Sequence, residues 1–399
     1  MLTKGQMQKY SEVLLWGLKT ARKGKYKKGD IVLLRFGLAA VKMAEVLQGK
    51  LLEMGLIPVL RAGSSPAMEH NFYEMADRRQ LTFVGPWEKE LSRHMNGSIF
   101  LHAPDSLTHL ADLDSRKIGQ AAVARKPLRD LLREREDQGK YGWTLCTIPT
   151  PELAKHAGLS LKQYTRQVVR ACYLDKPDPV GAWRGIYRDA MQIKNWLNSM
   201  EVKHYLVESE NIDLRIKPGR QRKWVGISGH NIPSFELFLS PDWRGTQGRY
   251  YADQPSFRTG NHVKGVDLTF RKGVVVEASA RKGGEFLKRQ LAMDSGAKKV
   301  GEFSLTDKRF SRINRFMANT LFDENYGGRH GNCHLAVGSS YTDTFDGDPA
   351  QLTKETKRKL GFNDSALHWD LVNTEKKTVT AHLSSGKRVV IYDNGVFTY

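Results

Sequence analysis

Cysteine is scarce in this chain. Its 399 residues include three, Cys146, Cys172 and Cys333, widely spaced and without a Cys-x-x-Cys pair. That spacing excludes a zinc ribbon and a disulfide framework. An odd, low count fits a reducing compartment and predicts a cytoplasmic protein. Long apolar runs are missing too. Val13-Leu14-Leu15-Trp16 is too short for a signal-peptide core and has no small-residue cleavage site after it. Nothing approaches the ~18 apolar residues of a membrane span. The chain also lacks Gly-x-x-x-x-Gly-Lys-Ser/Thr, Gly-x-Gly-x-x-Gly and Gly-x-Ser-x-Gly. A bound nucleotide and a serine-hydrolase elbow therefore have no support.

Positive charge is plentiful. Sixty-three Lys and Arg against 43 Asp and Glu give a formal charge of +20, a balance that usually suggests nucleic acid. Its distribution argues otherwise. Residues 1–200 hold 32 basic and 20 acidic side chains, and residues 201–399 hold 31 and 23, so neither end carries a basic tail. The densest run, Arg22-Lys23-Gly24-Lys25-Tyr26-Lys27-Lys28, reads as a solvated turn between a helix and a strand.

The pattern of elements predicts two α/β domains, residues 1–200 and 201–399. Tyr10, Val13, Leu14 and Leu18 recur at helical spacing. The apolar strands Ile31–Leu34 and Ile57–Leu60 flank a helical stretch around Ala39–Leu47, giving a β-α-β unit and a mainly parallel sheet. Ile99–Leu101 and Trp143–Ile148 read as further strands, and residues 125–135 as an exposed helix. Past residue 200, Val202–Lys217 reads as a hairpin, Gly273–Glu277 and Val389–Tyr392 as strands, and residues 283–296 as a helix. The second domain is expected to hold a mixed sheet and all of the metal chemistry.

That chemistry is written in short blocks. Glu236 follows Asn231-Ile232-Pro233, and Glu302 lies in Val300-Gly301-Glu302-Phe303. Glu324 lies in Leu321-Phe322-Asp323-Glu324-Asn325, and His334 opens the run to Tyr341. His368 and Asp370 flank Trp369. Four carboxylates and two imidazoles suit zinc, cobalt or manganese and exceed what one tetrahedral ion needs, which predicts two divalent ions. Each residue also has a plainer reading. Glu302 could cap a helix, Glu324 could pair with Arg329, His334 could be a core histidine, and Tyr341 could simply be half buried. His368 and Asp370 are the clearest pair, because positions i and i+2 of a strand face the same side. His330 and Cys333 are competing ligands in the loop before His334.

These blocks, in this order over residues 231–370, resemble the aminopeptidase T/aminopeptidase S family of dinuclear metallo-aminopeptidases. The N-terminal half is similar mainly through Gly29-Asp30-Ile31-Val32 and Pro149-Thr150. Two departures stand out: Pro233-Ser234-Phe235-Glu236 has no Gly before the Glu, and the loop between Glu324 and His334 is long. The resemblance implies that Glu236, Glu302, Glu324, His334, His368 and Asp370 are metal ligands, with Glu302 as bridging carboxylate. It implies Tyr341 as donor to the tetrahedral intermediate, Glu302 or Glu324 as base, peptides with a free N-terminus as substrates, and a homodimer. The alternatives are a dimetal phosphoesterase and a basic nucleic-acid-binding protein with a degenerate metal site.

Overall fold

The computed structural model describes every residue from Met1 to Tyr399. The chain divides into two compact units. One comprises Met1–Tyr187 with Ile227–Ser234 and Met317–Leu321; the other comprises Arg188–Gly226, Phe235–Phe316 and Phe322–Tyr399.

The first unit is built on a parallel sheet in the order Ile57–Ala62, Ile31–Phe36, Gly97–His102, Gly142–Thr147, Asn231–Ile232. Val32 and Leu34 are fully buried, as expected of an apolar strand covered on its face. The first two strands are joined through the helix Val41–Glu53, the crossover that parallel neighbours require. The helix Lys4–Thr20 starts at Thr3, whose hydroxyl accepts from the Gln6 N–H while the Gln6 side chain bonds back. This capping box satisfies two otherwise orphaned donors. Tyr10, Val13, Leu14 and Leu18 then form its fully buried stripe. The helix Lys126–Asp137 buries no residue, consistent with its charged composition. In the basic run, Arg22 pairs with Asp30 at 2.8 Å and lies over the Tyr26 ring.

The second unit holds a nine-stranded sheet and a five-stranded sheet. All their pairings are antiparallel, which corrects the expectation of a mixed sheet. Short turns such as those closing Val202–Ser209 onto Asp213–Ile216 join antiparallel neighbours, so no crossover helix is needed. The five-stranded sheet runs His368–Asn373, Asn332–Gly338, Val300–Thr306, Glu236–Leu239, Val225–Gly226. Its second and third strands are buried at every residue. The protein is thus mixed α/β, parallel in one unit and antiparallel in the other. All three cysteines are free and buried, and no helix is long and apolar enough to cross a membrane.

Candidate metal centre

Strand register assembles the centre. Ala336 lies opposite Glu302 on one side and Asp370 on the other. One step along, His334 lies opposite Ser304 and Val372, and Gly338 lies opposite His368. Directly opposed residues point to the same face of a sheet, and i, i+2 positions share it. Glu302, His334, His368 and Asp370 therefore project from one face. Glu236, opposite Thr306 two places beyond Ser304, projects from the same face. Ala336 contributes only a methyl group to the middle of the Glu302–Asp370 row, leaving space above the sheet for the longer side chains to converge.

Converge they do. His334 Nε2 is 3.0 Å from Glu302 Oε1, 3.2 Å from Glu236 Oε2 and 3.9 Å from Asp370 Oδ1. His368 Nε2 is 3.1 Å from Asp370 Oδ1 and 3.8 Å from Glu302 Oε2. The two oxygens of Glu302 thus face different imidazoles. One ligand atom each from Glu236, Glu302 and His334 lies within 4.8 Å of the others. Glu324 lies before the His334 strand, outside that three-residue cluster, with its buried carboxyl within electrostatic reach of Glu236, Asp370 and Glu302. The Thr306 hydroxyl donates to the Glu324 carbonyl at 3.1 Å, and the Asn325 side chain accepts from the Phe235 N–H beside Glu236.

Backbone and hydroxyl groups aim the ligands. Ser304 Oγ donates to Glu236 Oε2 at 2.9 Å. His368 Nδ1 bonds the Ser339 carbonyl at 2.8 Å, which turns Nε2 toward the carboxylates. Gly301 makes that carbonyl's position possible, since a Cβ there would lie 2.4 Å from the Ser339 oxygen. A register shift between Val300 and Glu302 accommodates this extra residue as a bulge. Tyr341 stands above, its N–H donating to Ser240 Oγ at 2.8 Å. Its ring meets His368 edge-on at 4.7 Å and Phe238 at 5.9 Å.

Burial pushes the Glu236 carboxyl up to about 7, with Glu302 and Asp370 adding to the rise and His334 and Ser304 opposing it. Burial also carries Glu302 well above the carboxylate range, helped by Asp370 and Asp343 against His368. Glu324 rises likewise through burial and the charges of Glu236, Asp370, Glu302 and Asp323. The His368–Asp370 pair behaves oppositely. Burial would depress His368, yet Asp370 and Glu302 raise it; burial would raise Asp370, yet His368, His334 and Arg258 bring it below the usual range. Buried carboxyls crowded among imidazole nitrogens are a fitting donor set for borderline divalent ions.

A family model described as thermophilic metalloprotease (M29) matches residues 3–397. The chain belongs to that family. Aminopeptidase 2 of Geobacillus stearothermophilus is 28% identical over 329 residues, spanning 78% of this chain and 78% of its own length. Aminopeptidase AmpS of Bacillus subtilis is 27% identical over 350 residues, 82% of this chain and 83% of its own. Among solved structures, wild-type AmpT from Thermus thermophilus has a TM-score of 0.79 at 22% identity, over 98% of this chain and 99% of that one. That likeness establishes a shared fold. Since the M29 match begins at residue 3, the N-terminal half belongs to it as fully as the ligand blocks do.

The M29 chain keeps the two competing ligands apart from His334. His330 Nδ1 bonds Asn394 Oδ1 at 2.5 Å. Cys333, adjacent to His334 on the strand, points to the opposite face, where Tyr250 Oη lies 4.0 Å from its sulfur. Sequence reasoning missed Ser304, Ala336 and the Ser339 carbonyl. Ser304 carried a usable signal, its i+2 spacing from Glu302 on a strand. The other two depend on pairing register, which single-strand patterns do not contain.

Proposed function

We propose that the protein is a metal-dependent aminopeptidase that releases residues from the free N-termini of peptides. The buried convergence of Glu236, Glu302 and His334 in an M29 chain carries this reading. Two divalent ions, zinc, cobalt or manganese, fit the donor set. Glu236, Glu324 and His334 would hold one, and His368 and Asp370 the other. Glu302 would reach both, because its oxygens face the two imidazoles separately. When bound, such ions supply an acidified water and a Lewis acid for the scissile carbonyl. Glu302 or Glu324 would take the proton from the attacking water. Tyr341, held by Ser240 and seated against His368, donates its phenol to the developing oxyanion, a contact commonly worth ~3–4 kcal/mol.

The same proposal assigns catalysis to a 201–399 domain, distinct from a 1–200 domain, in a cytoplasmic homodimer whose mass light scattering would test. Leucyl-p-nitroanilide, its N-acetylated form and nitrophenyl phosphate, each with and without chelator, test the activity. The free amine substrate should be cleaved and chelator should stop it. The acetylated one should react about a hundredfold more slowly or worse, because a site built around an amine rejects its blocked analogue. Comparable cleavage inside a blocked peptide would refute the assignment.

A further inference from the structure

The accessible side of the metal centre carries an apolar group that the chemistry above does not use. The strand Glu236–Leu239 is buried at Glu236, Leu237 and Leu239, and its one half-exposed residue is Phe238. Alternation along the strand puts Phe238 on the same face as Glu236 and Ser240, the face from which the candidate ligands rise. Leu237 and Leu239 turn the other way into the core. Register gives the same answer, since Phe238 lies opposite Ser304, and Ser304 lies opposite His334.

Exposure shows where this face opens. The side chains of His334, Glu302 and Glu236 are 1%, 5% and 8% exposed, whereas His368 and Asp370 keep 18% and 16%. Tyr341 is half-buried, as Phe238 is. The Tyr341 ring joins the two ends of this rim, meeting His368 at 4.7 Å and Phe238 at 5.9 Å. Of these four rim residues, Phe238 alone offers a purely hydrocarbon surface.

Its neighbours decide what that surface can receive. On the metal side stands Ser304, a small side chain whose hydroxyl is engaged with Glu236. On the far side stands Val225, opposite Phe238 in register and half-buried as well. Phe238 and Val225 thus form an apolar strip that begins two strand spacings, about 10 Å, from the His334 strand. A peptide whose amine and scissile carbonyl are held at the centre has its first side chain on the carbon between those two groups. That side chain must lie close to the ligands, and covering a half-exposed ring with it takes both apolar surfaces out of water.

We propose that Phe238, continued by Val225, is the wall that receives the side chain of the substrate's N-terminal residue and sets which apolar side chains are taken. This rests on the aminopeptidase reading. Phe238 acts by contact with substrate, so its effect depends on the size of the side chain presented; a ring that only seated Tyr341 would affect every substrate alike.

The test compares kcat/KM for alanyl-, leucyl- and phenylalanyl-p-nitroanilide in the wild type, Phe238→Ala and Phe238→Trp, with metal content and Tm of each protein measured alongside. Titration calorimetry of the metal-loaded proteins with the hydroxamates of alanine, leucine and phenylalanine reads the same preference without turnover. Phe238→Ala should raise the phenylalanyl-to-leucyl ratio about tenfold or more, the discrimination a hydrophobic pocket commonly shows for a single methylene. Phe238→Trp should lower that ratio by a similar factor. The alanyl substrate, whose methyl group falls short of the wall, should change least. A ratio that neither variant moves, or an equal fall for all three substrates, overturns the inference. If Phe238→Ala loses its metal or its fold, Phe238→Trp, which removes no packing, decides. If the wild type cleaves none of the three, the aminopeptidase reading falls instead. The calorimetric ratio of the phenylalanine and leucine hydroxamates then still decides the role of Phe238: opposite shifts in the two variants support the wall, and an unmoved ratio overturns it.

Discussion

Stripped of metal, this protein should lose stability as the pH rises from 5 to 8, the reverse of ordinary acid denaturation. Glu236 is the clearest cause. Its carboxyl stands at about 7 in the folded chain against an ordinary 4.5. Between those values the unfolded chain ionises while the folded one stays protonated. Stability conferred by the protonated form is complete below 4.5 and is lost as the pH passes through 7. Each unit of difference is ~1.36 kcal/mol, so the change from pH 5 to 8 is on the order of 2–3 kcal/mol from Glu236 alone. Glu302, Glu324 and His368 are also raised and act in the same direction. Asp370, held below its usual range, loses its contribution only in strong acid. At ~2.1 cal/mol/K per residue over this length, the Glu236 share corresponds to a fall in Tm of about 3 °C. Differential scanning fluorimetry of chelator-treated protein across that range, for the wild type and Glu236→Gln, reads it directly. The variant should flatten the slope. Because the ligands must be deprotonated, added zinc should raise Tm more at pH 8 than at pH 5. A metal-free Tm that rises with pH, or a slope untouched by Glu236→Gln, would refute the electrostatic account.

Two further outcomes are expected. Ser304→Ala removes the donor that orients Glu236 and should weaken metal affinity about 10- to 100-fold in a competition titration against a fluorescent chelator; unchanged affinity would make that hydrogen bond incidental. Tyr341→Phe keeps the ring against His368 and deletes only the phenol, so kcat should fall about a hundredfold with metal content and Tm retained. Activity that survives the change would reduce Tyr341 to packing.

Legibility in the sequence followed the range of the forces involved. The strand at Ile31–Phe36 could be read because a covered strand must be apolar along most of its length; Ile57–Ala62 was legible by its apolar residues although it is an edge strand with Ile57 and Leu60 exposed. The shared face of His368 and Asp370 could be read because a strand repeats every two residues. The place of Asn231–Ile232 at the end of the parallel sheet could not, since it depends on pairing with a strand distant in the chain. Glu302 was legible as a candidate ligand by its block but not by its place. A Gly-Glu pair suggested a strand end or a helix cap, whereas a bulge at Gly301 sets Glu302 inside a buried strand. Which carboxylate meets which imidazole is a matter of pairing between strands distant in the chain, and no local pattern records it.

Placing the candidate ligands by register has a consequence for how such an enzyme can diversify. Glu236, Glu302, His334, His368 and Asp370 keep their mutual spacing as long as four strands stay paired, whatever the length of the chain between them. The stretches 307–331 and 339–367 can lengthen or change without moving these five groups, provided the Ser339 carbonyl stays on His368 and the Glu324 loop and Tyr341 keep their anchors. A one-residue slip of a single strand, by contrast, would turn its ligands to the opposite face at once. Insertions in the loops would therefore alter which peptides are taken while hydrolysis persists, and drift within the strands would be purged.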